Sequence, residues 1–143
     1  MECFFDHEKL DVYQEGIAFV SWWAEIRPRC SGVANVQDQL DRASTSTPLN
    51  IAEGNGKYSM RDRCRYLQIA RGSALECAAC LDVLVARKCL SFQNIEPGKR
   101  QLQRIVAMLV RLIASLSNRV AEPPTQYDSL SEPDSDPEYS PSE

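Results

Sequence analysis

Five aliphatic residues, Leu102, Ile105, Leu109, Leu112 and Leu116, recur at alternating steps of three and four. That spacing keeps one stripe of an α-helix apolar over four turns, and such a stripe must be buried against other helices. The same period recurs through the rest of the chain. Residues 7–27 carry Leu10, Tyr13, Ile17, Val20 and Ala24 on one stripe, ended by Pro28 and the turn "PRCSG". Residues 35–53 place Val36, Leu40, Ala43, Thr47 and Ile51 in register. A third helix is predicted from Ser59, an N-cap with Asp62 three residues on, to about Lys88. Its stripe is Leu67, Ala70, Ala74, Cys77, Ala78, Leu81, Leu84 and Val85. The fourth helix is placed after "EPGK". No run of β-branched residues alternates with polar ones over a useful length. The expectation is an all-α, antiparallel up-down four-helix bundle over residues 1–120. Residues 121–143 hold five of the eight prolines among Ser, Asp and Glu and are read as a disordered acidic tail.

Two helices have more apolar surface than a bundle position uses. Val12, Phe19, Trp22, Trp23 and Ile26 form a second cluster on the first helix, opposite its first stripe. Tyr66, Ile69, Cys80 and Val83 add apolar surface beside the core stripe of the third. A surplus of this kind points to self-association, with the tryptophans as anchors.

The net charge of −4 conceals a division. All sixteen Lys and Arg precede Ala121, against thirteen carboxylates, so the body carries +3. The other seven carboxylates lie in residues 121–143 with no cation, a tail of −7. Lys57, Arg61, Arg63, Arg65 and Arg71 crowd the start of the third helix, where positive charge opposes the helix dipole. Lys99, Arg100, Arg104, Arg111 and Arg119 follow Pro97 without a carboxylate, and Arg100, Arg104 and Arg111 share a stripe. Such stripes suit phosphate backbones, although a solvated helix face is the commoner use of charge. The nucleic-acid contacts expected are Lys57, Arg61, Arg65, Arg71, Lys99, Arg100, Arg104 and Arg111. The acidic tail is expected to fold onto the Arg100–Arg104–Arg111 stripe in competition.

Catalytic patterns are poorly supported. "STPLNIAEGNGKYS" contains Gly56–Lys57, but Ile51 stands where a phosphate-binding loop needs its first glycine, and Tyr58 where it needs Ser or Thr. The stretch reads better as a helix end and turn, with Pro48 kinking the helix and Gly54 or Gly56 taking a left-handed conformation. "CAAC" at Cys77–Cys80 lacks the strand–helix setting of a redox pair and the further ligands of a zinc site. His7 is the single histidine, so it is the one candidate for a nucleophile triad. No metal or cofactor is expected. The charged start "MECFFDHEKL" does not fit a signal peptide, and "IVAMLVRLIASL", broken by Arg111, is too short to span a membrane. A cytoplasmic protein follows, with Cys3, Cys30, Cys64, Cys77, Cys80 and Cys89 as reduced thiols.

Three segments, "DVYQEGIAFV", "PLNIAEGNGKYS" and "RYLQIARGSALECAACLDVLVARK", together resemble the 23S rRNA intervening-sequence proteins. The resemblance covers roughly residues 8–117. It implies a bundle assembled as a homopentamer in the bacterial cytoplasm, without enzymatic activity. RNA association is suggested by members encoded within ribosomal RNA genes. A related branch serves diversity-generating retroelements as an accessory protein that binds a reverse transcriptase and nucleic acid. Pro48, Asn50, Ile51, Ala52, Glu53, Gly54 and Gly56 match the family pattern, as do Ser59, Tyr66, Ala70, Gly72, Ser73 and Glu76. Asn50 and Glu53 are the candidates for a role at a subunit boundary. The expected function is a non-enzymatic homo-oligomer presenting basic surfaces to RNA or DNA. The alternative is a scaffold or accessory subunit that meets an acidic protein partner without nucleic acid.

Overall fold

The computed structural model describes residues 2–121, with side chains through residue 118; the expected tail lies outside the described residues. Four helices carry the fold: α1 (Asp11–Ile26), α2 (Ala34–Asn55), α3 (Met60–Ala86) and α4 (Phe92–Ala121). Short 3-10 turns at Asp6–Lys9 and Arg27–Arg29 flank α1. None of the described helices is long and apolar enough to cross a membrane.

Paired residues give the directions of the helices. Between α1 and α2, Gly16 faces Pro48 and Trp23 meets Asp41. Between α2 and α3 the partners are Gln39 with Glu76, Ser46 with Ser73 and Gly54 with Tyr66. Cys64 lies by Ser117 and Asp82 by Lys99 between α3 and α4. Trp22 on Gly98 and Glu15 with Arg104 bring α4 back to α1. In every pair of helices one number rises as the other falls, so each neighbour runs antiparallel and the ring of four closes.

The inner stripes of three helices are those the periodicity predicts. Leu40, Ile51, Leu81, Leu84, Ile105 and Leu109 are wholly buried at the centre. The first helix differs. Its inner face is Val12, Gly16, Phe19, Trp23 and Ile26, all buried, whereas Ile17 and Ala24 of the expected core stripe face outward. Both stripes are apolar, so a helical wheel alone does not choose between them. One particular does. The Trp23 indole N–H donates to Asp41 across 2.7 Å, satisfying a buried donor. Val12, Phe19, Trp23 and Ile26 therefore belong to the protomer's own core, not to a free association surface. Trp22, half-buried, packs on Phe19 and against Gly98.

Two boundaries also shift. Residues 7–10 form a 3-10 turn and an extended Leu10 before α1 begins at Asp11. The fourth helix starts at Phe92, ahead of "EPGK", so Pro97 and Gly98 lie inside it. Ser91 and Asn94 cap it reciprocally: the serine hydroxyl accepts the Asn94 backbone N–H at 3.1 Å, and the Asn94 side-chain Oδ1 accepts the Ser91 N–H at 2.9 Å. Pro97 falls in the second turn, where its missing N–H removes one i→i−4 bond, the one to the Gln93 carbonyl.

Candidate nucleic-acid interface

The turn that joins α2 to α3 is built from close packing. Gly54 is buried, and a Cβ there would lie 2.9 Å from the Tyr66 Cβ. Gly56 ends α2 with φ −84°, so neither glycine supplies the left-handed residue expected there; among glycines only Gly32 has positive φ. The value of Gly54 is proximity: without a side chain it lets α2 lie against Tyr66 of α3. Ser59 caps α3 as expected, its hydroxyl accepting the Asp62 N–H at 3.0 Å. Pro48 sits inside α2, buried against α1. Around it the Ser44 and Thr45 hydroxyls bond the Asp41 carbonyl and the Thr47 hydroxyl bonds that of Ala43. Asn50 donates to the Ser46 carbonyl at 2.8 Å and to its hydroxyl at 2.9 Å, and Ser46 reaches Ser73 of α3 at 2.8 Å. Glu53 is exposed beside it. Of the motif positions, Pro48 and Gly54 thus pack against neighbouring helices, and Asn50 bonds the Ser46 that reaches α3.

Cations gather at this turn. The Arg63 Nε donates to the Lys57 carbonyl at 2.6 Å and holds the turn against α3. Lys57 and Arg65 both lie over the Tyr66 ring, 5.0 and 5.1 Å from its centroid. Those contacts orient the two charges without neutralising them. Arg61, one turn before Arg65, is exposed, and Tyr58 between them and α2 is 99% exposed. Among the described residues no carboxylate pairs with Lys57, Arg61, Arg63 or Arg65.

The stripe on α4 is different. Lys99 pairs with Asp82 at 2.7 Å, Arg100 with Glu96 at 2.8 Å and Arg104 with Glu15 at 3.5 Å. Two of those carboxylates come from other helices, which is why the segment looks purely basic in sequence. Arg111 is exposed and has no ion-pair partner among the described residues, and Arg71 is half-buried with its Nε enclosed. Of the eight expected contacts, Lys99, Arg100 and Arg104 on α4 each have a carboxylate partner, whereas Lys57, Arg61 and Arg65 at the start of α3, Arg71 further along it and Arg111 on α4 have none among the described residues.

Sequence reasoning missed the tie between α1 and α2. Asp41 accepts the Trp23 N–H and the Arg27 Nε, and it also ion-pairs with an Arg27 terminal nitrogen at 3.0 Å. Hydrogen bonding to Asp41, with its charge, raises the Arg27 pKa further. The partners are 14 and 18 residues apart, beyond any local pattern. Cys77 and Cys80 are both buried. Burial pushes the Cys77 thiol far above its usual range and raises Cys80 also, so neither is a thiolate at neutral pH. His7 stacks on Phe5 and meets the edge of Tyr13, with ring centroids 6.0 and 4.7 Å apart.

No curated protein matches the chain. A solved structure from Bacteroides thetaiotaomicron, described as a protein of unknown function from the S23 ribosomal protein family, shares the fold with a TM-score of 0.61 and 21% identity. The match covers 71% of this chain and 97% of that one. The family model described as 23S rRNA-intervening sequence protein matches residues 8–111. That span takes in α1, α2, α3, their connecting turns and most of α4, and the chain belongs to the 23S rRNA-intervening sequence protein family.

Proposed function

We propose that this protein is a non-enzymatic, cytoplasmic bundle that self-associates and binds the phosphate backbone of RNA or DNA through Lys57, Arg61, Arg63 and Arg65. One observation carries the choice of surface: these cations have no carboxylate partner among the described residues, whereas Lys99, Arg100 and Arg104 each have one. An ion-paired arginine must give up its partner before it meets phosphate; an unpaired one does not. Placing arginines in the first turns of α3 works against the helix dipole, a cost that an anionic ligand reverses. The family's name links its members to ribosomal RNA genes and supports a nucleic-acid partner. The test is fluorescence anisotropy with labelled structured RNA and duplex DNA at low and physiological salt. Saturable binding that weakens steeply with salt is expected, and its absence at low salt would retire the reading.

Self-association uses the outward apolar residues rather than the tryptophans. Leu75, Phe92 and Val106 line an open groove between α3 and α4, and Leu75 and Phe92 are 46% and 64% exposed. The family resemblance implies five copies, and repetition of the basic face around an assembly strengthens binding to a long polyanion. Sedimentation velocity is expected to show an oligomer that Leu75→Asp reduces to smaller species. A monomer at all concentrations would remove this part of the reading.

A further inference from the structure

We infer that the basic face at the start of α3 is the docking site of the chain's own acidic segment, residues 122–143. The inference concerns Lys57, Arg61, Arg63 and Arg65 as an anion site in their own right, whether or not nucleic acid also binds there.

Position is the first argument. The Cys64 thiol on α3 meets the Ile113 carbonyl at 4.0 Å and the Ser117 hydroxyl at 3.8 Å on α4. Because the two helices are antiparallel, the last turn of α4 advances toward the same end of the bundle as the first turn of α3. From Ser117 to Ala121 is about 6 Å of helix rise, and from Cys64 back to Arg61 about 4.5 Å. The acidic segment therefore leaves the bundle beside the basic face. Its 22 residues, from 122 to 143, could span about 70 Å if extended, so reach does not limit where it settles. Charge does.

Charge is the second argument. The segment carries seven carboxylates and no cation. The stripe of Arg100, Arg104 and Arg111, where sequence alone places the segment, is already largely answered by Glu96 and Glu15, and Lys99 by Asp82. At the start of α3 the neighbouring acids are few or engaged. Asp6 bonds Asn55 and pairs with Lys9, and Glu8 accepts the amides of Phe4 and Phe5. Asp62 and the exposed Glu53 are left against four cations. The segment supplies the charge this face lacks, and its tethering raises the local carboxylate concentration well above that of free competitors.

Carbodiimide cross-linking of the full-length protein, without nucleic acid, tests this. The reagent joins a carboxylate to a lysine amine as an amide with loss of water, and Lys57 is the reporter on the face. Mass spectrometry of the monomer band at low salt is expected to find residues 122–143 joined to Lys57, in preference to Lys88 or Lys99. Raising salt to ~0.5 M, where the Debye length falls to about 4–5 Å, is expected to abolish the product. Arg61→Glu with Arg65→Glu, both exposed, is expected to reduce it at least several-fold. Cross-links spread evenly over the lysines, or a Lys57 product that ignores the double variant, would overturn the inference. A chain that docks its segment yet binds no RNA or DNA would retire the proposed function alone. Where both hold, converting the seven carboxylates to amides should tighten nucleic-acid binding about tenfold at low salt.

Discussion

Gly98 shows how a single residue decides where two helices touch. A Cβ there would lie 2.3 Å from the Trp22 ring, so the indole would have to shift. Gly98→Ala should cost about 1–3 kcal/mol through overpacking, read as a fall in thermal midpoint. An unchanged midpoint would mean the α1–α4 contact is looser than described. Lys88 presents the opposite case. It takes φ 63° to end α3, with its own N–H bonded to the Val85 carbonyl and the Cys89 N–H to that of Leu84. This is a Schellman end that normally uses glycine. Lys88→Gly should stabilise by about 1 kcal/mol because only glycine adopts that conformation without a Cβ penalty. Loss of stability would show the lysine side chain to be needed there. Ser59 as the cap of α3 is legible in the sequence, because the cap is local chemistry three residues wide. The partners of Lys99 and Arg104 are not, because Asp82 and Glu15 lie 17 and 89 residues away.

At the scale of elements, the four helices and three of their inner stripes follow from apolar spacing. What spacing leaves undecided is a helix apolar on two faces. On α1 the polar handle of Trp23 favours one face, through a hydrogen bond that a hydrophobic stripe does not weigh. The start of α4 was hidden by Pro97 and Gly98, which look like a turn. The Ser91–Asn94 capping pair, six residues before Pro97 at its first member, was the signal for it. The turn before α1 responds to acid. The Glu8 carboxyl is held below its ordinary value, first by the Phe5 N–H and also by that of Phe4. A carboxyl with a lowered folded pKa stabilises its charged form. Its contribution is full above the ordinary carboxylate pKa and is lost as pH falls through the lowered value. Amide exchange at Phe4 and Phe5 should accelerate over that acid range, beyond the intrinsic pH trend, and Glu8→Gln should remove the dependence. A turn whose protection ignores Glu8 would contradict the assignment.

For the whole molecule, the division of charge is the feature from which function is argued. The sequence shows sixteen cations in the body and seven carboxylates beyond residue 121, but it does not show which cations are spent on neighbours. Closing the bundle pairs Lys99 and Arg104 of α4 with other helices, Arg100 pairs within α4, and the cations at the start of α3 have no carboxylate partner among the described residues. Two surfaces of similar composition thereby become unequal. The direct test is to compare Arg61→Glu/Arg65→Glu with Arg100→Glu/Arg104→Glu in RNA anisotropy at ~50 mM salt. The first pair should weaken binding at least tenfold and flatten its salt dependence, the second by a few-fold at most. The reverse order, with the α4 pair dominant, would contradict the assignment of the binding surface to the start of α3.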